Sequence, residues 1–404
     1  MHDCQADFWS ESVSKLKSGR VPLLVSITFA VMLSLCSFLN AAAFETSASE
    51  AYVVEAETGT VLLEKNADKP VPPASMAKMM TIAVVFDAIK AGRLSLDDEF
   101  TVSEHAWRTG GAPSRTSTMF AAIKSSIRVD DLLKGVMVQG ANDGCIVLAE
   151  GMVGSEEKFV ELMNARALEL GLNSSKFANS TGLPADGQAV TMRDLVRLAR
   201  YLATEHSSLF AYYALPEFTW NKILQRNRNP LLRMDIGVDG VLTGYTERSG
   251  YSIVGSMRKD GKRVFAALGG MKDDKERAQE SRKLFEWIST SFQNRQVFKA
   301  GELVGRVPVF AGARPDVALR SDVPVRLLLN VDDESGPTAE IVYAGPLAAP
   351  VSSGDAVGIL RFRSGDQTIH ETPLVAAEDV PIGSLEQRAF HALEELTVGW
   401  LRNL

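Results

Sequence analysis

The sequence predicts an α+β protein in three parts: a body with an antiparallel sheet and a helical subdomain, then a small all-β domain, then an amphipathic C-terminal helix. Three observations predict it. Apolar residues recur at helical spacing through most of the stretch from residue 75 to residue 203, so the middle of the body is helical. Alternation with period two flanks that stretch, at 51–65 and again from Val238 to Gly269, so strands from both ends of the body share a sheet. Beyond residue 293 short alternating segments replace helices as far as Val375, and a 3.6-residue period returns from Ser384 to Leu404.

The chain of 404 residues is long enough for two or three domains with buried cores, and its 46% hydrophobic and 23% charged content is ordinary for a soluble globular protein. A net charge of -7 without a basic cluster excludes a nucleic-acid partner. Residues 1–43 differ from the rest. Lys15, Lys17 and Arg20 precede an apolar run from Val21 to Leu39, and Ala41-Ala42-Ala43 follows, the pattern of an export signal cleaved before Phe44. The run would also just span a bilayer as a retained anchor, but the small residues after it favour cleavage. Cleavage removes Cys4 and Cys36. Cys145, in an apolar helical run, is then the only thiol and is expected to be buried and structural.

Taken in order, Ala51–Glu64 reads as a hairpin turning at Glu57-Thr58-Gly59, and a helix runs from Ser75 to Ala91, where Gly92 stops it. A second helical segment, Asp130–Glu150, is interrupted by Gln139–Gly144, which places a loop beside a helix end. Residues 155–172 form an amphipathic helix closed by Gly171, and Thr191 caps another that reaches Ala203. Strands at Val241–Thr243, Tyr251–Ser256 and Arg263–Gly269 precede a helix from Asp273 to Phe292. The β domain contains strands Val325–Leu329 and Ala339–Tyr343 and a hairpin turning at Ser364-Gly365-Asp366. The expected boundaries are 44–292, 293–377 and 378–404. The tail gathers Leu385, Ala389, Phe390, Leu393, Leu396, Trp400, Leu401 and Leu404 on one face, which either lies on a membrane or docks on its own domain. Two arginines against three glutamates give it no attraction to anionic lipid.

The chemistry centres on Ser75 and Lys78. One helical turn apart, they share a face, and a lysine whose pKa is lowered by burial can take the proton of a serine hydroxyl. Alone, so short a spacing more often marks a helix start with a solvated lysine, and only further matches elsewhere in the chain reverse that reading. An acyl-transfer site also needs oxyanion donors and polar groups for the substrate. Asn142, in the break of the second helical segment, offers a side-chain amide, and Thr243-Gly244-Tyr245 ends a strand where a substrate backbone can approach.

Ser75-Met76-Ala77-Lys78, then Asn142, then Val238–Thr246 resembles the three-box pattern of penicillin-recognising serine enzymes. The stretches Tyr52–Asn66, Pro72–Thr81, Leu172–Asn179, Thr191–Asp194 and Ser249–Tyr251 are similar to the low-molecular-weight D-alanyl-D-alanine carboxypeptidases of the bacterial cell wall, as are the β domain and the tail helix. The resemblance implies a β-lactamase/transpeptidase-like fold and a periplasmic serine peptidase that trims peptidoglycan stem peptides in cell-wall biogenesis and cell shape. It implies β-lactams as acylating inhibitors, a tail at residues 384–404 peripheral on the outer face of the inner membrane, and neither metal nor cofactor. Ser75 would be the nucleophile, Lys78 the base, and Asn142 the ligand of the substrate amide and orienter of Lys78. The NH groups of Ser75 and Tyr245 would form the oxyanion hole, with Gly244 beside them, and Thr243 and Arg263 would take the terminal carboxylate. Two positions depart from the pattern: Gly140 stands where a serine is usual and Leu242 where a lysine is usual. They admit an alternative, a non-catalytic peptidoglycan-binding relative. A class A β-lactamase is opposed by the trailing β domain and tail helix.

Overall fold

The computed structural model describes residues 44–331, 336–345 and 347–398, without the side chains of 394–398. The expected export signal and the end of the tail lie outside the described residues. β1 (Glu50–Glu55) and β2 (Val61–Lys65) form the predicted hairpin. With β3 (Val238–Thr246), β4 (Gly250–Lys259) and β5 (Lys262–Met271) they make a five-stranded antiparallel sheet in the order β2-β1-β5-β4-β3.

Both faces of this sheet are covered, so every residue of β1 is buried. Alternate residues of β1 divide between two cores, as the strand period requires. Tyr52 and Val54 join the core formed by α1 (Lys78–Lys90), α2 (Asn142–Val153), α3 (Glu156–Glu169) and α4 (Met192–Glu205). Ala51 and Val53 face α5 (Asp274–Ser291), which contributes Leu284, Phe285 and Ile288. α1 is enclosed on nearly every side, which explains why Met79–Phe86 is apolar apart from Thr81, whose Oγ1 donates to the Ser180 carbonyl, and leaves Lys78 as the buried amine at the helix start.

The helix starts follow capping chemistry. Thr191 Oγ1 accepts the Asp194 NH at 3.1 Å, and Asp273 Oδ1 accepts the Glu276 NH at 2.7 Å. The predicted break at 139–144 is tighter than a loop. The chain widens into a π turn at Gly135–Gln139, reverses at Gly140 with φ 72°, and restarts as helix at Asn142. Only glycine adopts that backbone routinely, and the reversal sets Asn142, itself buried, at a helix start.

In the second domain a six-stranded sheet and a two-stranded pair enclose Val317, Leu319, Leu327, Leu360, Phe362 and Leu374. It meets the β1–β2 hairpin through Arg326 with Glu57 at 2.8 Å and the Leu328 NH with Thr60 Oγ1 at 3.3 Å. The tail helix, Leu385–Val398, packs its polar side on this domain: His391 Nδ1 accepts the Ala311 NH at 3.1 Å, and Gln387 reaches the Ala313 carbonyl. Leu385 and Phe390 remain 76% and 66% exposed.

Candidate active site

Ala74 takes the left-handed backbone conformation, φ 50°, after Pro73, and the chain makes a 3₁₀ turn at Ala74–Ala77 before α1 begins. A non-glycine residue there is uncommon and marks a turn held by its surroundings. The sequence predicts a serine opening the helix, but no side chain caps this start, so the Ser75 hydroxyl is not engaged with the backbone. It meets Lys78 instead, whose Nζ donates to Ser75 Oγ at 3.0 Å and to the Thr181 carbonyl at 2.6 Å. Lys78 is fully buried and, among the described residues, has no carboxylate partner. Burial, aided by the charge of Arg228, lowers its pKa to about 8. Burial pushes the neighbouring Cys145 thiol up to about 12, so it stays neutral and brings no negative charge to the lysine. At neutral pH a useful fraction of Lys78 is therefore the free amine.

Asn142 joins the same cleft. Its Nδ2 donates to Thr116 Oγ1 at 2.9 Å, its backbone NH donates to the Ser117 carbonyl at 2.8 Å, and its Oδ1 is buried with no partner. The expected contact from Asn142 to Lys78 is not formed: Nζ donates to Ser75 and Thr181, and the Asn142 amide NH2 turns to Thr116. Asp143 fixes the segment carrying Thr116 by accepting from Thr118 Oγ1 at 2.5 Å and from the NH groups of Met119 and Ala121 at 3.0 Å. Sequence reading missed this roof over the cleft, whose only signal is the cluster of hydroxyls at Ser114, Thr116, Ser117 and Thr118. Thr116→Val keeps the shape but removes the acceptor that orients Asn142. It is expected to slow acylation of Ser75 about tenfold, with Thr116→Ser restoring the rate, as followed by stopped-flow kinetics.

The opposite wall is β3. Thr243, Gly244 and Tyr245 line the cleft with Ser75 and Asn142, enclosing about 580 Å³. A Cβ on Gly244 would lie 3.1 Å from Ala74 Cβ and 3.4 Å from Met76 Cγ, so the strand passes this close to the serine turn only without a side chain. The Tyr245 ring is half exposed and packs on Tyr251 with centroids 4.3 Å apart. Leu242 also lines the cleft and brings no charge.

Arg263 does not belong to this site. Its register partner is Arg258, whereas Thr243 lies in the row of Ile253 and Leu268, five residues along the strand, a separation of about 17 Å. Its guanidinium pairs with Asp239 at 2.5 Å and lies over Phe210 and Phe265. Two other arginines, Arg228 and Arg277, do line the cleft, together with Asp274. Burial lowers the pKa of both, and neither stood out in the sequence because each comes from a segment outside the three boxes.

Comparison with known proteins agrees with this geometry. A family model for D-alanyl-D-alanine carboxypeptidase matches residues 38–272, and one for the penicillin-binding protein 5 C-terminal domain matches residues 292–381. The D-alanyl-D-alanine carboxypeptidase DacC of Escherichia coli is 36% identical over 336 residues, covering 82% of this chain and 84% of that one. The crystal structure of penicillin binding protein 5 from Haemophilus influenzae superposes with a TM-score of 0.69 at 30% identity, covering 83% of this chain and 98% of that one. Penicillin-binding protein D2 of Listeria monocytogenes, solved in a cefotaxime-bound form, gives a TM-score of 0.55 at 29% identity over 60% of this chain and 97% of its own.

Proposed function

The chain belongs to the D-alanyl-D-alanine carboxypeptidase family, a serine-type hydrolase of that specificity, and we propose that Ser75, Lys78 and Asn142 carry its reaction. The observation that carries this reading is the buried Lys78 amine 3.0 Å from Ser75 Oγ, with a pKa of about 8. Neutral Lys78 takes the hydroxyl proton as Ser75 Oγ attacks the carbonyl preceding the terminal D-alanine of a peptidoglycan stem peptide. The NH groups of Ser75 and Tyr245 receive the developing oxyanion. Asn142 Oδ1, the buried acceptor without a partner, takes a substrate amide NH, and Thr243 contacts the carboxylate end. The Lys78 ammonium returns the proton to the departing amine as the C–N bond breaks, leaving Ser75 acylated. Water, activated by the same lysine, then hydrolyses the ester. β-Lactams enter by the same acylation and stay as adducts.

Gly140 withholds a hydroxyl from the proton path and Leu242 a cation from the carboxylate subsite, so the reaction is expected to be slow rather than absent. kcat/KM for release of D-alanine should climb tenfold per pH unit up to about pH 8, as Lys78 loses its proton, and level off above it. Unchanged release of D-alanine by Ser75→Ala would contradict the assignment.

The export signal at residues 1–43 supports a periplasmic protein, and the exposed Leu385 and Phe390 support peripheral contact of the tail with the inner membrane. Among the described residues no helix is long and apolar enough to cross a membrane. Cosedimentation with zwitterionic vesicles that is lost on Phe390→Ser tests the contact. Cosedimentation unaffected by that substitution contradicts it.

A further inference from the structure

Lys78 Nζ has two acceptors, Ser75 Oγ at 3.0 Å and the Thr181 carbonyl at 2.6 Å. The first is the nucleophile, so the second decides where the amine points. Thr181 belongs to a turn, residues 179–183, that one side chain ties together. Asn179 Oδ1 accepts the Thr181 NH at 3.2 Å, the Thr181 hydroxyl at 2.9 Å and the Gly182 NH at 2.7 Å. Asn179 Nδ2 donates to the Leu183 carbonyl at 2.9 Å. The Gly182 NH and the Thr181 carbonyl share one planar trans peptide and point opposite ways. An amide oxygen that holds the NH on one side therefore aims the carbonyl at Nζ on the other. Neighbouring bonds fix the ends of the turn: Thr81 Oγ1, one turn of α1 after Lys78, donates to the Ser180 carbonyl at 2.6 Å, Glu156 of α3 accepts the Ser180 NH at 2.9 Å, and Gln188 Nε2 donates to the Leu183 carbonyl at 2.6 Å. These hold residues 180 and 183. The peptide between Thr181 and Gly182 is held by Asn179 behind it and Lys78 in front.

We propose that Asn179 is a positioning residue for the general base: its amide oxygen aims the Thr181 carbonyl, and that carbonyl directs Lys78 Nζ onto Ser75 Oγ. The role rests on the reading of Lys78 as base given above and adds the group that keeps it in line. Asn179 is half-buried and acts through the turn, whose residues Thr181, Gly182 and Leu183 form the cleft wall. A carbonyl so close to Nζ favours the ammonium, against the burial that favours the free amine. From the other elements, Arg228, Asp143 and the Cys145 thiol face the amine, and Glu156 lies behind Ser180. None of these is altered by a change at residue 179, so Asn179→Asp and Asn179→Ala act on Lys78 through the turn alone and in opposite directions. The aspartate keeps an oxygen for both NH groups and adds a negative charge on the far side of the peptide. The alanine releases the peptide, and the ammonium loses its acceptor.

Two measurements on the full mature protein test this. One is the pH dependence of Ser75 acylation by a penicillin. The other is the titration of Lys78 itself by NMR, in protein carrying isotopic carbon at lysine Cε, with the signal assigned through Lys78→Met. Asn179→Asp should raise the Lys78 midpoint and the acid limb of acylation together by about one pH unit. Less free amine is then present at neutral pH, so acylation should fall about tenfold near pH 7 and return to the wild-type rate at about pH 10. Asn179→Ala should bring the midpoint below the wild-type value of about 8 and lower acylation about tenfold on the alkaline plateau, where only the direction of the amine limits it. Asn179→Asp carries the test by itself where Asn179→Ala does not fold. A merely structural role lowers the rate equally at every pH and leaves the Lys78 midpoint in place. That result, in a protein whose wild type is acylated, rejects Asn179 alone. A wild type that penicillin does not acylate rejects the reading of Lys78 as base and the proposal with it.

Discussion

Lys78→Met is expected to slow acylation of Ser75 by roughly 10³-fold while leaving the fold intact. Nζ is the one titratable group hydrogen-bonded to Ser75 Oγ among the described residues, and methionine fills the same buried channel without the amine. The stability effect has a definite sign. Folding lowers the lysine pKa from 10.5 to about 8, so below pH 8 the amine is charged in both states and the folded state bears the whole cost of burying it. That cost shrinks as pH rises from about 8 to about 10.5. At pH 7 the methionine variant escapes it, at the expense of leaving the Thr181 carbonyl without its donor. Its Tm should match or exceed that of the wild type while activity collapses. A parallel fall of Tm and activity would make Lys78 a structural residue.

Gly182→Ala is expected to damage both stability and chemistry. Gly182 follows Thr181, the residue that holds Lys78, and has φ 77°. A Cβ there would lie 1.8 Å from the carbonyl oxygen of Ala74, in the turn that presents Ser75. Neither the left-handed backbone nor the overlap with backbone is relieved by a rotamer change, so the 181–182 segment or the serine turn must move. Overpacking and backbone strain together cost about 2–5 kcal/mol, a fall in Tm of roughly 5–15 °C. Displacement of either segment separates Lys78 from Ser75, so at temperatures where the variant is folded acylation should fall by at least tenfold. Calorimetry and acylation kinetics on the same preparation check both halves. A variant with wild-type rates would mean that the 181–182 segment does not position the base.

Local pattern revealed most of the body because its elements agree with their own chemistry. The β1–β2 hairpin, the Thr191 cap and the helix after Asp273 each follow from residues within a few positions of one another. The second domain was less legible. Gly305 and Pro308 interrupt the alternation of the strand Leu303–Phe310, and Phe292–Phe298 continues as strand directly from α5 with no breaker between. At the site, Ser75, Lys78, Asn142 and Thr243 were readable because short motifs carry them. Arg263 misled because sequence distance from the third box says nothing of position along a neighbouring strand, and register set it about 17 Å away. Thr116, Arg228 and Arg277 reach the cleft only through tertiary packing, and nothing near them in the chain announces it.

The central claim is that Ser75 and Lys78 form a working nucleophile despite Gly140 and Leu242. Intact-mass spectrometry after incubation with a penicillin, with Ser75→Ala in parallel, tests it most directly. The expected result is a mass increase equal to one penicillin on the wild type and none on the variant. An unmodified wild type at high drug concentration and long times would contradict the account and leave a protein that keeps the fold and binds peptidoglycan without turning it over.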